Sequence, residues 1–193
     1  MQRSQTIKPR RPHMILSMLL LAAAMIAFYM SYMEFYKAAY PLGFEEAVVE
    51  NSALHDLPPG LVFAVIRTES GFRPHVESHY GARGLMQITE DTFEWIAWRY
   101  GKTGYVYEDL FDPIINIQFG TALLRLHLNE FNTVQNTLCA YHAGRTNALN
   151  WLANPEFAPD GENITDIPFL DTRYYVYRVL ETWQTYQRLY QID

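Results

Sequence analysis

A chain of 193 residues is long enough for one domain and an appendage, and its 49% hydrophobic and 15% aromatic content excludes global disorder. The formal net charge is −6, yet four cations, Arg3, Lys8, Arg10 and Arg11, precede the first acid, Glu34. Beyond them 11 Lys and Arg face 21 Asp and Glu, a balance that argues against nucleic acid as a partner.

Met14 to Met33 contains no charged residue and matches the roughly 20 residues needed to cross a bilayer as a helix. The cations before it place the N-terminus in the cytoplasm and everything after about residue 34 outside. Ala22-Ala23-Ala24 would suit signal cleavage, but the apolar run continues past it, beyond the roughly 7–15 residues of a signal core. A retained anchor is therefore expected. The chain reads as a basic N-terminus (1–13), a transmembrane helix (14–33), a connector (34–43) and an external domain (44–193).

Phe44 to Asn51 has helical character, and Pro58-Pro59-Gly60 opens a second helix that runs through Glu69. Gly71 to Gly84 is rich in turn formers and reads as a loop with room for a short hairpin. Thr89 is expected to cap a helix ended by Gly101. Asp112-Pro113 starts another, burying Ile117, Gly120, Leu124 and Phe131. Val134 to Ala143 is helical and stops at Gly144, and Asp171 is expected to cap a long last helix carrying Tyr175, Val179 and Trp183 on one side. Period-two alternation is nearly absent, so the fold class is all-α. Cys139 is the only cysteine, so no intramolecular disulfide can form, and its apolar setting makes it a buried structural thiol.

Glu69 is the informative residue. It lies four residues after Val65 and three after Ile66, which puts a carboxylate on an apolar helical stripe. Burial raises a carboxyl pKa, and the negative end of a helix stopping near Gly71 pushes the same way. Either this is a proton donor held for catalysis, or a helix-end glutamate paired with Arg67 or Arg73. Spacing alone leaves both open. The segment His75-Val76-Glu77-Ser78-His79 invites a zinc reading, but Glu77 sits one place late for the helical zinc motif and Pro74 makes the segment a loop; no metal and no cofactor are expected.

Glu69-Ser70-Gly71-Phe72-Arg73-Pro74, Ser78-His79-Tyr80-Gly81-Ala82-Arg83-Gly84-Leu85-Met86-Gln87 and Ala140-Tyr141-His142-Ala143-Gly144 closely resemble the motif set of lytic transglycosylases with an SLT domain. Ile167 to Val176 resembles that family's fourth block, and with the preceding segment the chain looks most like its membrane-bound members. The resemblance implies a lysozyme-like fold acting on peptidoglycan glycan strands, cutting the β-1,4 bond between N-acetylmuramic acid and N-acetylglucosamine and leaving a 1,6-anhydro end. It implies Glu69 as the catalytic acid and then base, Ser70 as the residue orienting it, and Met86 and Gln87 as a pair that packs on and hydrogen-bonds the glycan. Ser78, Gly84, Tyr141, His142 and Tyr175 complete the implied substrate-binding set, with Gly81, Ala82 and Gly84 leaving room for close approach of the sugar.

Two positions depart from the family pattern: His142 stands where Asn is common, and Asp171 where Glu is. His142 could make sugar binding pH-dependent. The rivals are a muramidase of the goose-type lysozyme kind, which would use a second carboxylate such as Glu77, Glu90, Asp91 or Asp171, and a non-catalytic glycan-binding scaffold. The sequence names no protein partner.

Overall fold

The computed structural model describes residues 12–192, so the four N-terminal cations lie outside the described residues. The chain divides into two compact units, with the boundary between Pro41 and Leu42.

The first unit is helix α1, Pro12–Ala39. It runs past the expected end at Met33, because no helix breaker occurs before Pro41, and it carries Glu34 and Lys37 on its last turns. Met14–Ala39 is long and apolar enough to cross a membrane, and the apolar window within it buries nothing inside the structure. Near its end Tyr32 stacks on Tyr36 at 5.7 Å and Tyr36 meets Tyr40 at 5.3 Å. These four-residue steps line the rings along one helical face.

The second unit holds α2 (Glu45–Leu54), α3 (Pro59–Glu69), α4 (Glu90–Tyr100), a 3-10 turn (Tyr107–Phe111), α5 (Pro113–Phe131), α6 (Val134–Ala143), α7 (Arg145–Leu152) and α8 (Leu170–Tyr190). No strand occurs among the described residues. The segment read as a loop with room for a short hairpin is a loop carrying two isolated antiparallel bridges, Glu77 to Arg83 and Arg83 to Ile88. The class is all-α, as the absence of alternation predicts.

Local chemistry sets several helix ends. Asp112 accepts hydrogen bonds from the backbone N–H of Ile114 and Ile115 at 2.8 and 3.1 Å, and Pro113 occupies the first turn of α5, where its missing N–H costs nothing. Thr133 caps α6 through the Asn136 N–H. Gly101 ends α4 at φ 61°. Thr89 precedes α4 as expected, but its hydroxyl donates to Thr92 and makes no cap bond to the backbone.

Two helix starts differ from the sequence reading. Phe169, not Asp171, is the residue before α8, and Asp171 lies in the first turn, where its charge still suits the positive helix end. Gly144 stops α6 but also opens α7, since at φ 88° it reverses the chain between two helices.

α3 is the central helix. Every residue from Gly60 to Ile66 is buried, so the apolar stripe inferred from spacing is in fact a helix covered all round, chiefly by α8 and also by α2. Phe63 stacks on Tyr186 of α8 at 5.5 Å. On α6, Cys139 is fully buried, and burial pushes its thiol up to about 12.

Candidate active site

Glu69 is the last residue of α3. Behind it Ser70 leaves helical geometry, and Gly71 and Phe72 follow at φ 59° and 62°, so the chain turns sharply away and leaves the carboxyl at a helix end. The Ser70 side chain is 1% exposed, and its hydroxyl donates to the Ile66 carbonyl of α3 at 3.1 Å. Its backbone carbonyl accepts from Arg73 Nε at 2.8 Å. Ser70 therefore fixes the helix end beside Glu69 and has no open surface to offer a sugar.

The carboxyl is half-buried, and loss of solvation raises its pKa from 4.5 to about 7. Two α8 groups oppose that rise: the Tyr175 hydroxyl, which donates toward the carboxylate, and the nearby Arg178 guanidinium. Desolvation wins. The Tyr175 hydroxyl is buried and meets no acceptor at full hydrogen-bond geometry, so its hold on Glu69 is loose. None of the ion pairs among the described residues includes Glu69; Arg73 is spent on the Ser70 carbonyl and on no carboxylate. Of the two partners that spacing left open, Arg73 is thus engaged elsewhere.

Tyr141 comes from α6. Burial and the Glu69 charge both push its phenol well above its ordinary pKa, so it stays a neutral donor. Its hydroxyl donates to the Met86 carbonyl at 2.6 Å, tying the loop between α3 and α4 to α6. His142, the next residue, is exposed. It stacks on Tyr175 with ring centres 4.4 Å apart, and its Nδ1 lies 3.0 Å from the Thr172 hydroxyl. Its pKa is lowered, first by desolvation and further by Arg178, with Asp171 opposing.

The loop carrying Ser78 to Gln87 is held by one buried residue that sequence reasoning missed. Asn116 of α5 is fully buried. Its Oδ1 accepts from the Met86 N–H at 2.7 Å, and its Nδ2 donates to the Arg83 and Leu110 carbonyls at 2.9 and 2.8 Å. Gly84 sits beside this clamp at φ 76°, where a Cβ would run into the Asn116 amide and the Leu110 carbonyl. The room left by its absent side chain is therefore filled by protein rather than open to a sugar.

Met86 corrects a second expectation. Its side chain is fully buried against Gly120 of α5, so it cannot pack on a glycan; only a glycine at 120 lets it in. Gln87 stays half-buried, with its amide nitrogen donating to the Val76 and Gly84 carbonyls and its Oε1 without a protein partner among the described residues. The Ser78 hydroxyl accepts from the Tyr80 and Ala82 N–H groups, a turn-closing role. His75 and His79 face Phe111 and Tyr80 rings, and no three metal-ligating side chains converge among the described residues.

The structure thus gathers Glu69, Tyr141, His142 and Tyr175 from α3, α6 and α8, adds Arg178, and places Ser70, Gly84 and Met86 behind them as support. A helical domain that keeps one carboxylic acid protonated near neutrality beside two neutral tyrosines has what general acid catalysis requires.

The family model described as "Transglycosylase SLT domain" matches residues 46–164, which takes in every residue of this site except those of α8. The chain belongs to that family. It is 32% identical over 157 residues to the soluble lytic murein transglycosylase of Escherichia coli K12, covering 80% of this chain and 24% of that protein. It is 29% identical over 163 residues to membrane-bound lytic murein transglycosylase C of Salmonella arizonae, covering 73% of this chain and 45% of that protein. Among solved structures, the 70 kDa soluble lytic transglycosylase of Escherichia coli superposes with a TM-score of 0.71 at 29% identity, over 79% of this chain and 25% of that one. The chain therefore spans about a quarter of the soluble relatives it matches.

Proposed function

We propose that this chain is a membrane-anchored lytic transglycosylase that cleaves the MurNAc-β-1,4-GlcNAc bond of peptidoglycan without consuming water. The observation that carries this reading is a single carboxyl, Glu69, held near neutral pKa between Tyr175 and Tyr141 with no second acid among the groups that act on it. Hydrolytic glycosidases ordinarily use two carboxyl groups. Here Glu77 is paired with Arg83, Glu90 and Asp91 lie in the exposed first turn of α4, and Asp171 acts on His142.

One carboxyl suffices if it acts twice. Protonated Glu69 gives its proton to the leaving-group oxygen while the substrate's own N-acetyl group stabilises the cation forming at C1. The resulting carboxylate then takes the proton of the C6 hydroxyl as that oxygen closes onto C1, leaving a 1,6-anhydro end and Glu69 protonated again. Tyr175 and Arg178 stabilise the carboxylate between the two steps. Gln87 Oε1 is free to accept from a sugar hydroxyl, and His142 with Tyr175 forms the wall beside the reacting ring. Helix α1 anchors the chain, with the basic N-terminus inside and the domain on the cell-wall side.

Mass analysis of purified peptidoglycan digested by the full chain in detergent tests the reading. Anhydro ends, lighter than reducing ends by one water, are expected. Reducing ends would make the chain a hydrolase, and intact strands would leave a glycan-binding scaffold.

A further inference from the structure

Three residues after Glu69 the backbone takes a form that its own side chain opposes. Phe72 lies at φ 62°, the left-handed region that crowds any residue with a Cβ and a bulky one most of all. Asn132 and Gln191 share that sign of φ as helix C-caps, where it is ordinary, whereas Phe72 sits in the turn that carries the chain away from α3. Such a conformation persists where the surroundings fix it more firmly than the residue's own preference does, and it clusters at active sites.

The surroundings of Phe72 are specific. Its ring packs on Phe63 of α3, with centres 6.4 Å apart. Phe63 is fully buried and is backed by Tyr186 of α8, so it has no room to yield. The Phe72 ring also meets Gly43, the second residue of the second unit: a Cβ built there would lie 2.7 Å from Phe72 Cδ1 and 3.3 Å from Cγ and Cε1. Gly43 is outside the left-handed region, so what its missing side chain provides is room for the ring rather than backbone freedom.

Both ends of this contact are anchored. The Phe44 carbonyl beside Gly43 accepts from the Val48 N–H at 3.0 Å, opening α2, and Ala47 and Val48 of that helix are buried where α2 packs on α3. On the other side, the Ser70 carbonyl accepts from both the N–H and the Nε of Arg73, at 3.4 and 2.8 Å, so bonds between its neighbours span Phe72. A shift of the Phe72 ring is therefore passed to Ser70 and to the end of α3.

We infer that Phe72 and Gly43 are positioning residues for the reaction: the Phe72 ring, seated against the bare backbone of Gly43 and against Phe63, holds the strained turn after α3 and so fixes where the Glu69 carboxyl stands. This role rests on the function proposed above, and both residues act through Glu69. It makes the first residues of the second unit part of what cleavage depends on.

Gly43→Ala puts a methyl 2.7 Å from a ring carbon, where ordinary contact begins at 3.4 Å. The turn then loosens and water reaches the carboxyl, while the groups that act on Glu69 from α6 and α8, namely Tyr141, Tyr175 and Arg178, are left as they are. With glycan strands from amidase-treated peptidoglycan and the full chain in detergent, kcat should fall about tenfold and KM stay within about twofold, since misplacing a reacting group acts on turnover. The alkaline limb of the pH–rate profile should move about half a unit to lower pH, because a better-solvated carboxyl loses its proton more readily. Phe72→Leu loosens the same seat without adding an atom and should shift both readouts the same way. In that background Gly43→Ala should cost less than about twofold more.

The ¹³C-carboxyl titration of Glu69, assigned against Glu69→Gln, reads the same displacement without substrate, and its midpoint should fall in Gly43→Ala. An unmoved midpoint, an unchanged kcat, or equal losses from Gly43→Ala with and without the Phe72 ring overturns the positioning role alone. A parent chain that cuts no strand overturns the proposed function and the positioning role with it, whatever the midpoint does.

Discussion

Replacing Glu69 with Gln should abolish turnover and, at alkaline pH, make the protein more stable. The carboxyl pKa is raised from 4.5 to about 7 by burial. Between those values the folded chain keeps a proton that the unfolded chain has lost, so stability falls as pH rises across that window and levels off above it. At about 1.4 kcal/mol per unit the ceiling is about 3 kcal/mol, and the partial exposure of the side chain reduces it to about 1–2 kcal/mol.

Glutamine keeps the shape and cannot ionise. The variant should therefore match the parent near pH 4.5 and exceed it at pH 8, by about 3–6 °C in melting temperature for a unit of this size. Tryptophan fluorescence of the full chain in detergent reports the transition, since Trp95, Trp98, Trp151 and Trp183 all lie in the second unit. Equal stabilities at both pH values, or a variant that still cleaves strands, would refute the idea of a proton held at neutrality for catalysis.

Tyr175→Phe removes the donor that lowers the Glu69 pKa, so the alkaline limb of the pH–rate profile should move to higher pH while kcat falls; an unmoved limb would sever Tyr175 from the carboxyl. His142 has a pKa below its ordinary value, so it becomes charged only in mild acid, where it would confront Arg178. His142→Asn should flatten the acidic limb of the same profile, and a profile identical to the parent's counts against any role for its titration. Asn116→Ala strands the Met86 N–H and two carbonyls in the interior and should cost about 2–4 kcal/mol in denaturant unfolding, with less than about 1 kcal/mol showing the clamp to be dispensable.

What the sequence discloses depends on how far apart the interacting residues are. Asp112-Pro113 and Gly101 mark helix ends because their chemistry acts within one turn. The eight-residue α7 escapes because it follows Gly144 with no capping side chain, so a single glycine serves as both stop and start. The start of α8 is misjudged by two residues because Phe169 has no cap chemistry at all.

Glu69 can be singled out from spacing, but its partners cannot. Tyr141 and Tyr175 reach it only because α6 and α8 pack near the end of α3, a long-range outcome that helical periodicity does not encode. Motif resemblance supplied those residues. It also misled at Met86 and Gly84, whose places in a motif reflect packing against Gly120 and Asn116. Asn116 could have been noticed: it is the one polar residue in the run Ile114-Ile115-Asn116-Ile117, where an amide must be satisfied or expelled.

The buried thiol of Cys139 has a practical meaning. With its pKa pushed up to about 12, it has almost no thiolate at neutral pH and no path to a reagent while α6 stays packed. A cysteine introduced on the surface can therefore be labelled in the natural background without first removing the native one. The slow labelling that remains at Cys139 then measures how often the core beneath the site opens, a clock built into the folded chain.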